Sequence, residues 1–179
     1  MEPGNPDIRQ EVDRSRGLLK KIQLIVPLFK GYRKLEDLRE ADELLRRQLS
    51  DILQQTLKNL QDQRVNLVNS GVFDQLTHIA SVISKAQELQ GDILHATQGY
   101  SGISPAIRVD EGTLNALYES DLKFLEVCQN IKNSSLSGDS GEIGPGLARL
   151  NSEIDLAKTS WQERLEKVQN ILLQNGGEN

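Results

Sequence analysis

The stretch LEDLREADELLRRQLSDILQQTLKNLQDQRVNL, residues 35–67, decides the fold class of this chain. Its apolar residues recur at intervals of three and four, which places them on one stripe of a helix. Asp42 lies in the middle of this stripe, where burial of a carboxylate is costly unless it is paired or hydrogen-bonded. The pattern predicts a long amphipathic helix and a specific partner for Asp42. The stripe consists of Leu35, Leu38, Leu45, Leu49, Ile52 and Leu60.

A second stripe, over residues 114–131, also has an aspartate at its centre, Asp121. No cation on the same helix is well placed for Asp121, so its partner is expected from another element. Arginine suits this role because its planar fork pairs with a carboxylate in two places and stays charged. An acid/base pair would also need a pocket, so structural ion pairs are the favoured interpretation. The candidate partners of the two aspartates are Arg39 and Arg46 for Asp42, and Arg46, Arg64 and Arg108 for Asp121.

Three further helices complete the prediction. Aromatic residues make up only 4% of the chain, which favours helices packed by Leu, Ile and Ala over a sandwich or a barrel. We therefore predict an all-α fold over a single domain, residues 1–179: an antiparallel bundle of four long helices with a shorter N-terminal helix. The predicted helices are 7–25, 33–69, 72–97, 110–133 and 147–174. Pro27 is expected to end the first, and Gly71 to cap the second.

The remaining segments are expected to be irregular. Residues 134–146, SSLSGDSGEIGPG, have the composition of a mobile linker between the last two helices. Residues 1–6 and 175–179 are predicted to be frayed ends.

The cysteine content and the net charge limit the cellular compartment and the kinds of partner that we expect. The single Cys128 excludes an intramolecular disulfide and fits a reducing compartment. No apolar run approaches the ~20 residues that a membrane-spanning helix needs, and MEPGNPDIRQ lacks a signal-peptide core. We expect a soluble, cytoplasmic chain. Its net charge of −5 argues against nucleic acid as the main partner.

The segment KKIQLIVPLFKGYRK, residues 20–34, is basic and partly apolar, and it has two interpretations. Its composition is typical of a contact with an anionic membrane or an acidic partner. Alternatively, its apolar residues plug the end of the bundle, which is the favoured interpretation. The candidate surface consists of Lys20, Lys21, Phe29, Lys30, Tyr32, Arg33 and Lys34, with Tyr100 as a further contact residue in a later loop.

No motif for catalysis, metal binding or cofactor binding is evident. His78 faces away from its helix stripe, and Asp92 and His95 form a single off-face pair, short of a di-iron pattern. Cys128 lies on an apolar stripe, which is typical of a small buried hydrophobe. We therefore expect no catalytic residue, no metal ligand and no cofactor.

Two stretches resemble an uncharacterised family of bacterial all-helical proteins. They are GYRKLEDLREADELLR, residues 31–46, and GYSGISPAIRVDEGTLNALYESDLKFL, residues 99–125. The resemblance implies a shared all-helical fold and carries over no activity or ligand.

The functional expectation is a non-enzymatic interaction module, a scaffold or adaptor that binds a protein partner through helix surface. One alternative is a peripheral membrane-surface binder that uses residues 20–34. Another is an enzyme or ligand-binding protein with a pocket between helices around Asp42 and Asp121. Assembly into a homo-oligomer is left open by the sequence.

Overall fold

A computed structural model of the chain describes residues 8–32, 35–96, 111–136 and 143–175, with all their side chains except those at 8, 11, 35–39, 111 and 171–175. No strand occurs in these ranges. The predicted all-α class, with four long helices and a shorter N-terminal one, is confirmed. The helices are α1 (Ile8–Ile25), α2 (Leu35–Asn69), α3 (Leu76–His95), α4 (Glu111–Ser134) and α5 (Ile143–Asn175).

The C-terminus of α2 is capped as the sequence predicts. The N–H of Val72 donates to the carbonyl of Leu67 at 2.9 Å, and the N–H of Gly71 donates to that of Val68 at 3.2 Å. This pair of bonds is a Schellman motif, and Gly71 supplies the left-handed residue it needs, with φ +72°. Since this turn occupies the following residues, α3 begins at Leu76, four residues later than predicted.

The linker predicted at 134–146 is shorter than expected, because α5 begins at Ile143. Pro145 is tolerated there, since the first turn of a helix does not use its backbone N–H groups. Ser135, at the other end, is buried and bonded to α2. Residues 137–142 lie outside the described residues, so a mobile linker there stays a prediction. The frayed ends predicted at 1–6 and 175–179 also stay a prediction, except that Asn175 is the last residue of α5.

The described contacts group the helices into two compact units. Unit 1 contains α1, the connector after it, α2 up to Leu45, α4 up to Lys123 and α5 from Glu163. Unit 2 contains α3 and the remaining parts of α2, α4 and α5. The single domain 1–179 stays a prediction, and each unit is described separately.

In unit 2, helices that follow one another in sequence run antiparallel. Arg46 on α2 donates to the carbonyl of Ile93 at 3.0 Å, and Gln90 on α3 donates to Ser50 Oγ at 3.2 Å. Residue numbers thus rise on α2 as they fall on α3. This direction follows from the short turn that joins the two helices.

In unit 2, the hairpin α2/α3 packs beside the hairpin α4/α5. Each helix runs parallel to its neighbour in the other hairpin. On α3 and α5, Lys85 binds Asp155 at 2.7 Å, and Glu88 pairs with Lys158 three residues further along both helices. On α2 and α4, Lys132 donates to Gln55 at 3.3 Å and Asn59 donates to Ser135 at 2.9 Å. These pairs make α3 parallel to α5 and α2 parallel to α4.

The core of unit 1 is built around the connector between α1 and α2. α1 ends at Ile25, as predicted from Pro27, and Val26 and Phe29 then turn inward and are buried. The Phe29 ring packs edge-on against Tyr32 with centroids 5.3 Å apart. Val26 and Phe29 therefore lie in a core, as the plug interpretation predicts for these two residues.

Candidate functional site

A buried ionic cluster lies in the core of unit 1, where α2, α4 and α5 meet. Arg164 on α5 donates from Nε to Oδ1 of Asp121 at 2.6 Å and from Nη2 to Oδ1 of Asp42 at 2.8 Å. All three side chains are at most 1% exposed. One guanidinium therefore holds both of the aspartates that interrupt the apolar stripes, and its planar fork gives each carboxylate a separate donor.

Tyr32, in the connector, completes this cluster. Its Oη donates to Oδ2 of Asp121 and lies 3.5 Å from Nη2 of Arg164. The backbone N–H of Tyr32 donates to Oη of Tyr118 at 3.0 Å, and the two rings stack with centroids 5.3 Å apart. The connector is thus attached to α4 and α5 through both its backbone and its side chain. We call Tyr32, Asp42, Asp121 and Arg164 the ionic cluster.

Gly31 allows the connector to approach α4 this closely. Its φ is +90°, a conformation that other residues adopt only at a cost. A Cβ at this position would also collide with the hydroxyl of Tyr118, the atom that accepts the bond from Tyr32. Glycine is therefore required here for both conformation and space.

Burial and neighbouring charges shift the pKa of Tyr32, Asp121 and Arg164. Burial raises the pKa of Asp121, since the bonds from Arg164 and Tyr32 only partly offset its removal from water. Burial raises the pKa of Tyr32 as well, and the neighbouring Asp121 raises it further, so the phenol stays a donor. For Arg164, burial alone would lower the pKa, but attraction to Asp121 and to the other acidic groups of the cluster together outweighs burial and holds the pKa well above its ordinary value. Among the described side chains, the Arg164 guanidinium binds both Asp42 and Asp121.

The arrangement of these groups supports a structural role for the ionic cluster. The carboxylates of Asp42 and Asp121 are shut off from solvent and are engaged by a guanidinium. Removing one partner of a buried pair leaves an uncompensated charge and typically costs ~3–5 kcal/mol. The ionic cluster therefore fastens the connector and three helices to one another.

Sequence reasoning missed Arg164, although a signal for it was present. The buried positions of α5 recur at alternating spacings of three and four, and Arg164 continues this series three residues after Trp161. Leu165, the apolar residue next to it, is only half-buried. An arginine on the apolar stripe of one helix is the natural complement of aspartates on the stripes of two others. The buried series is Leu147, Leu150, Ile154, Ala157, Trp161 and Arg164.

Arg46, predicted as a partner of the aspartates, is buried in unit 2 and serves another role. Its Nη1 donates to the carbonyls of Ile93 at 3.0 Å and Ala96 at 2.8 Å, near the C-terminus of α3. Its guanidinium carbon lies 5.3 Å from the centroid of the Trp161 ring, in a cation–π contact. The Arg39 side chain and Arg108 lie outside the described residues, so their pairing stays a prediction.

The structure divides the basic segment that was predicted as one surface. Lys20, Lys21 and Lys30 are exposed. Phe29 and Tyr32 are not surface residues: each is only 1% exposed, because their rings belong to the core of unit 1. Arg33, Lys34 and Tyr100 lie outside the described residues.

Two leucines of the same segment project outward instead of plugging a core. Leu24 is 86% exposed and Leu28 is 80% exposed. Leu28 has φ +71°, a left-handed conformation that is uncommon for a branched residue.

A second exposed apolar surface lies at the C-terminal end of α2, in unit 2. Val65 and Val68 are 57% and 47% exposed and line a shallow groove. The five residues that line it recur at positions i, i+3, i+4, i+7 and i+8, one face of a helix. We call this face the distal surface: Gln61, Arg64, Val65, Val68 and Asn69.

Cys128, His78 and His95 are further side chains that could act as nucleophiles or metal ligands. Burial raises the pKa of the Cys128 thiol to about 12, so it is protonated and behaves as a small hydrophobe. His78 and His95 are exposed. Within the described part of the chain, no three His, Cys, Asp or Glu side chains are grouped as a metal site would require.

A search for membrane-crossing segments among the described residues finds no helix with the length and apolar character needed to span a bilayer. Comparisons with protein-family models, with curated proteins and with solved structures find no match to this chain.

Proposed function

We propose that this chain is a non-enzymatic interaction module, a scaffold or adaptor that binds a protein partner through the distal surface. The observation that carries the proposal is the exposure of Val65 and Val68 on the last turns of α2. Two neighbouring valines at i and i+3 beside a shallow groove are the kind of surface on which a partner helix docks its apolar face.

The chemistry of the distal surface suits a helix with apolar and acidic residues. Arg64 and Gln61 line the same groove as the two valines and supply a polar rim. Arg64 is exposed, so it is available to pair with a carboxylate of the partner. The net charge of −5 makes nucleic acid an unsuitable partner.

Two observations support the non-enzymatic part of the proposal. The ionic cluster is closed to solvent, so a substrate has no access to the carboxylates of Asp42 and Asp121. The Cys128 thiol is buried and protonated, whereas a nucleophilic cysteine needs an accessible thiolate. We place the module in the cytoplasm, where a single unpaired cysteine is ordinary, and in a bacterium, as the resemblance implies.

Site-specific photo-crosslinking tests this function. A photoreactive amino acid at Val65 or Val68 should give an adduct with one protein in cells, while the same group at Leu156, an even more exposed apolar position on α5, should not. The captured protein, once purified, should bind the parent chain and lose about tenfold or more in affinity for a Val65→Ser/Val68→Ser variant. Serine and valine have similar helix propensities, so α2 is retained.

Three results would argue against the proposal. The first is equal crosslinking at the distal surface and at Leu156. The second is unchanged affinity of the captured protein for the double-serine variant. The third is a bound metabolite or metal in native mass spectrometry of the purified chain, which would favour the enzyme or ligand-binding alternative. An adduct of twice the chain mass would identify a second copy of this chain as the partner.

A further inference from the structure

We propose that unit 1 carries a second docking surface, directed at the anionic phospholipid surface of a membrane. It consists of the exposed residues Lys20, Lys21, Leu24, Leu28 and Lys30, which we call the basic apolar surface. All of its residues belong to unit 1, whereas those of the distal surface belong to unit 2.

Helical spacing places three of these residues together. Lys20 and Lys21 precede Leu24 by four and three residues on α1, so all three share one face of the helix. The opposite face carries Ile22, which is fully buried in unit 1. The exposed face of α1 therefore ends in a leucine with two cations one turn before it.

The connector holds Leu28 in a fixed, exposed conformation. Its neighbour Phe29 is buried, and the Phe29 carbonyl accepts a bond from Gln23 Nε2 at 2.7 Å. The Phe29 N–H donates to the carbonyl of Val26 at 3.3 Å, which closes the turn. Leu28 is thereby held in a left-handed conformation with its side chain in solvent, an arrangement that is unfavourable in both respects. Insertion into a bilayer would remove the second of these costs.

Charge complementarity identifies the occupant. Residues 17–32 contain lysines and no acidic residue, so the basic apolar surface is positive. Glu40 is an acidic neighbour among the described residues, and it lines a shallow groove with Leu28 and Lys30. Leucines flanked by lysines match an anionic bilayer, because the leucines reach the acyl boundary while the ammonium groups stay at the headgroups.

Vesicle flotation tests this proposal with the full chain. Vesicles of phosphatidylcholine with phosphatidylserine should bind the chain at low salt, and binding should be lost at high salt or on pure phosphatidylcholine. Each lysine near an anionic surface contributes roughly fivefold in affinity, so Lys20→Gln/Lys21→Gln should weaken binding by about 25-fold. Lys58→Gln/Lys123→Gln removes the same charge from other exposed positions and should leave binding near the parent value.

Leu28→Asn tests the apolar part without disturbing the turn, since asparagine tolerates the left-handed conformation. It should weaken binding about tenfold, whereas Leu156→Ser should not. A dye that senses polarity can also be attached at Leu28→Cys, because the native Cys128 is buried and protonated. Its emission should shift to the blue on anionic vesicles, and a dye at Leu156→Cys should not respond.

Absence of parent binding at low salt would overturn the proposal. So would equal binding to neutral vesicles, or parent-like binding by both the Lys20→Gln/Lys21→Gln and Leu28→Asn variants. An acidic protein that binds this surface while anionic vesicles do not would overturn it too. Crosslinking at Val65 tests the distal surface independently, so either proposal can fail without the other.

Discussion

Arg164 and Asp121 are joined by a buried hydrogen bond of 2.6 Å between Nε and Oδ1, in the core of unit 1. The same guanidinium also holds Asp42, and Tyr32 donates to the far oxygen of Asp121. The short connector between α1 and α2 is therefore attached to the helices by charged groups as well as by aromatic packing. We therefore expect this bond to contribute to the folding stability of the chain and not to a chemical reaction.

Replacing Asp121 with alanine should lower the free energy of unfolding by ~3–5 kcal/mol, because Nε of Arg164 and the hydroxyl of Tyr32 would both lose their buried acceptor. Urea denaturation followed by circular dichroism measures the loss. Asp155→Ala is the matched control: that aspartate pairs with Lys85 at the surface, and such pairs contribute ~0–1 kcal/mol. Equal losses in the two variants would contradict a structural role for the ionic cluster.

The stability contribution of Asp121 should fall as pH rises. Its pKa is raised by burial above the ordinary value of 3.8, so the folded state holds the proton more tightly than the unfolded state does. This contribution is fully present below 3.8 and is lost as pH rises through the folded pKa, by at most ~1.4 kcal/mol per pH unit. The excess stability of the parent over Asp121→Asn, measured by urea denaturation, should therefore shrink with rising pH. An excess that grows with pH would show that the pKa is lowered instead.

Gly31→Ala should destabilise the chain by more than Gly71→Ala does. Both glycines have positive φ, near +90° and +72°, so both variants carry the ~1–2 kcal/mol cost of a left-handed alanine. Only at Gly31 would the added Cβ also collide with Tyr118, since nothing lies within 4 Å of a Cβ at Gly71. Thermal or urea unfolding of the two variants compares these costs. Equal losses would mean that the connector can move away from α4 without penalty.

Cys128 should be almost unreactive in the folded chain. Burial raises the pKa of its thiol to about 12, so the thiolate that attacks a disulfide reagent is scarce and inaccessible. Absorbance with an aromatic disulfide reagent should show slow, unfolding-limited reaction in buffer and rapid reaction in denaturant. Rapid reaction of the native protein would indicate an accessible thiol and would reopen the catalytic interpretation of this cysteine.

Helical periodicity is local information, and it accounts for what could be predicted from the chain alone. Alternating spacings of three and four identify the buried face of each helix, and they predict that Asp42 and Asp121 lie on it. Pro27 and Gly71 mark helix ends for equally local reasons, since one lacks an N–H and the other tolerates positive φ. The all-α class follows from the same patterns.

The partner of each buried carboxylate depends instead on the register between helices far apart in sequence. Arg164 lies 43 residues from Asp121 and 122 from Asp42, and no spacing rule within one helix connects them. Arg46, the local candidate, is drawn to α3 carbonyls by the packing of unit 2.

The same reason separates Tyr32 from Leu28. Both follow α1 in one basic apolar segment, yet Tyr32 is 1% exposed and Leu28 is 80% exposed. The sequence alone does not distinguish the burial of these two residues. The tertiary structure does, because Tyr118 and Asp121 on α4 give Tyr32 a place to bury its ring and hydroxyl. Periodicity determines which face of a helix is buried, and the assembly of helices determines what each buried group meets.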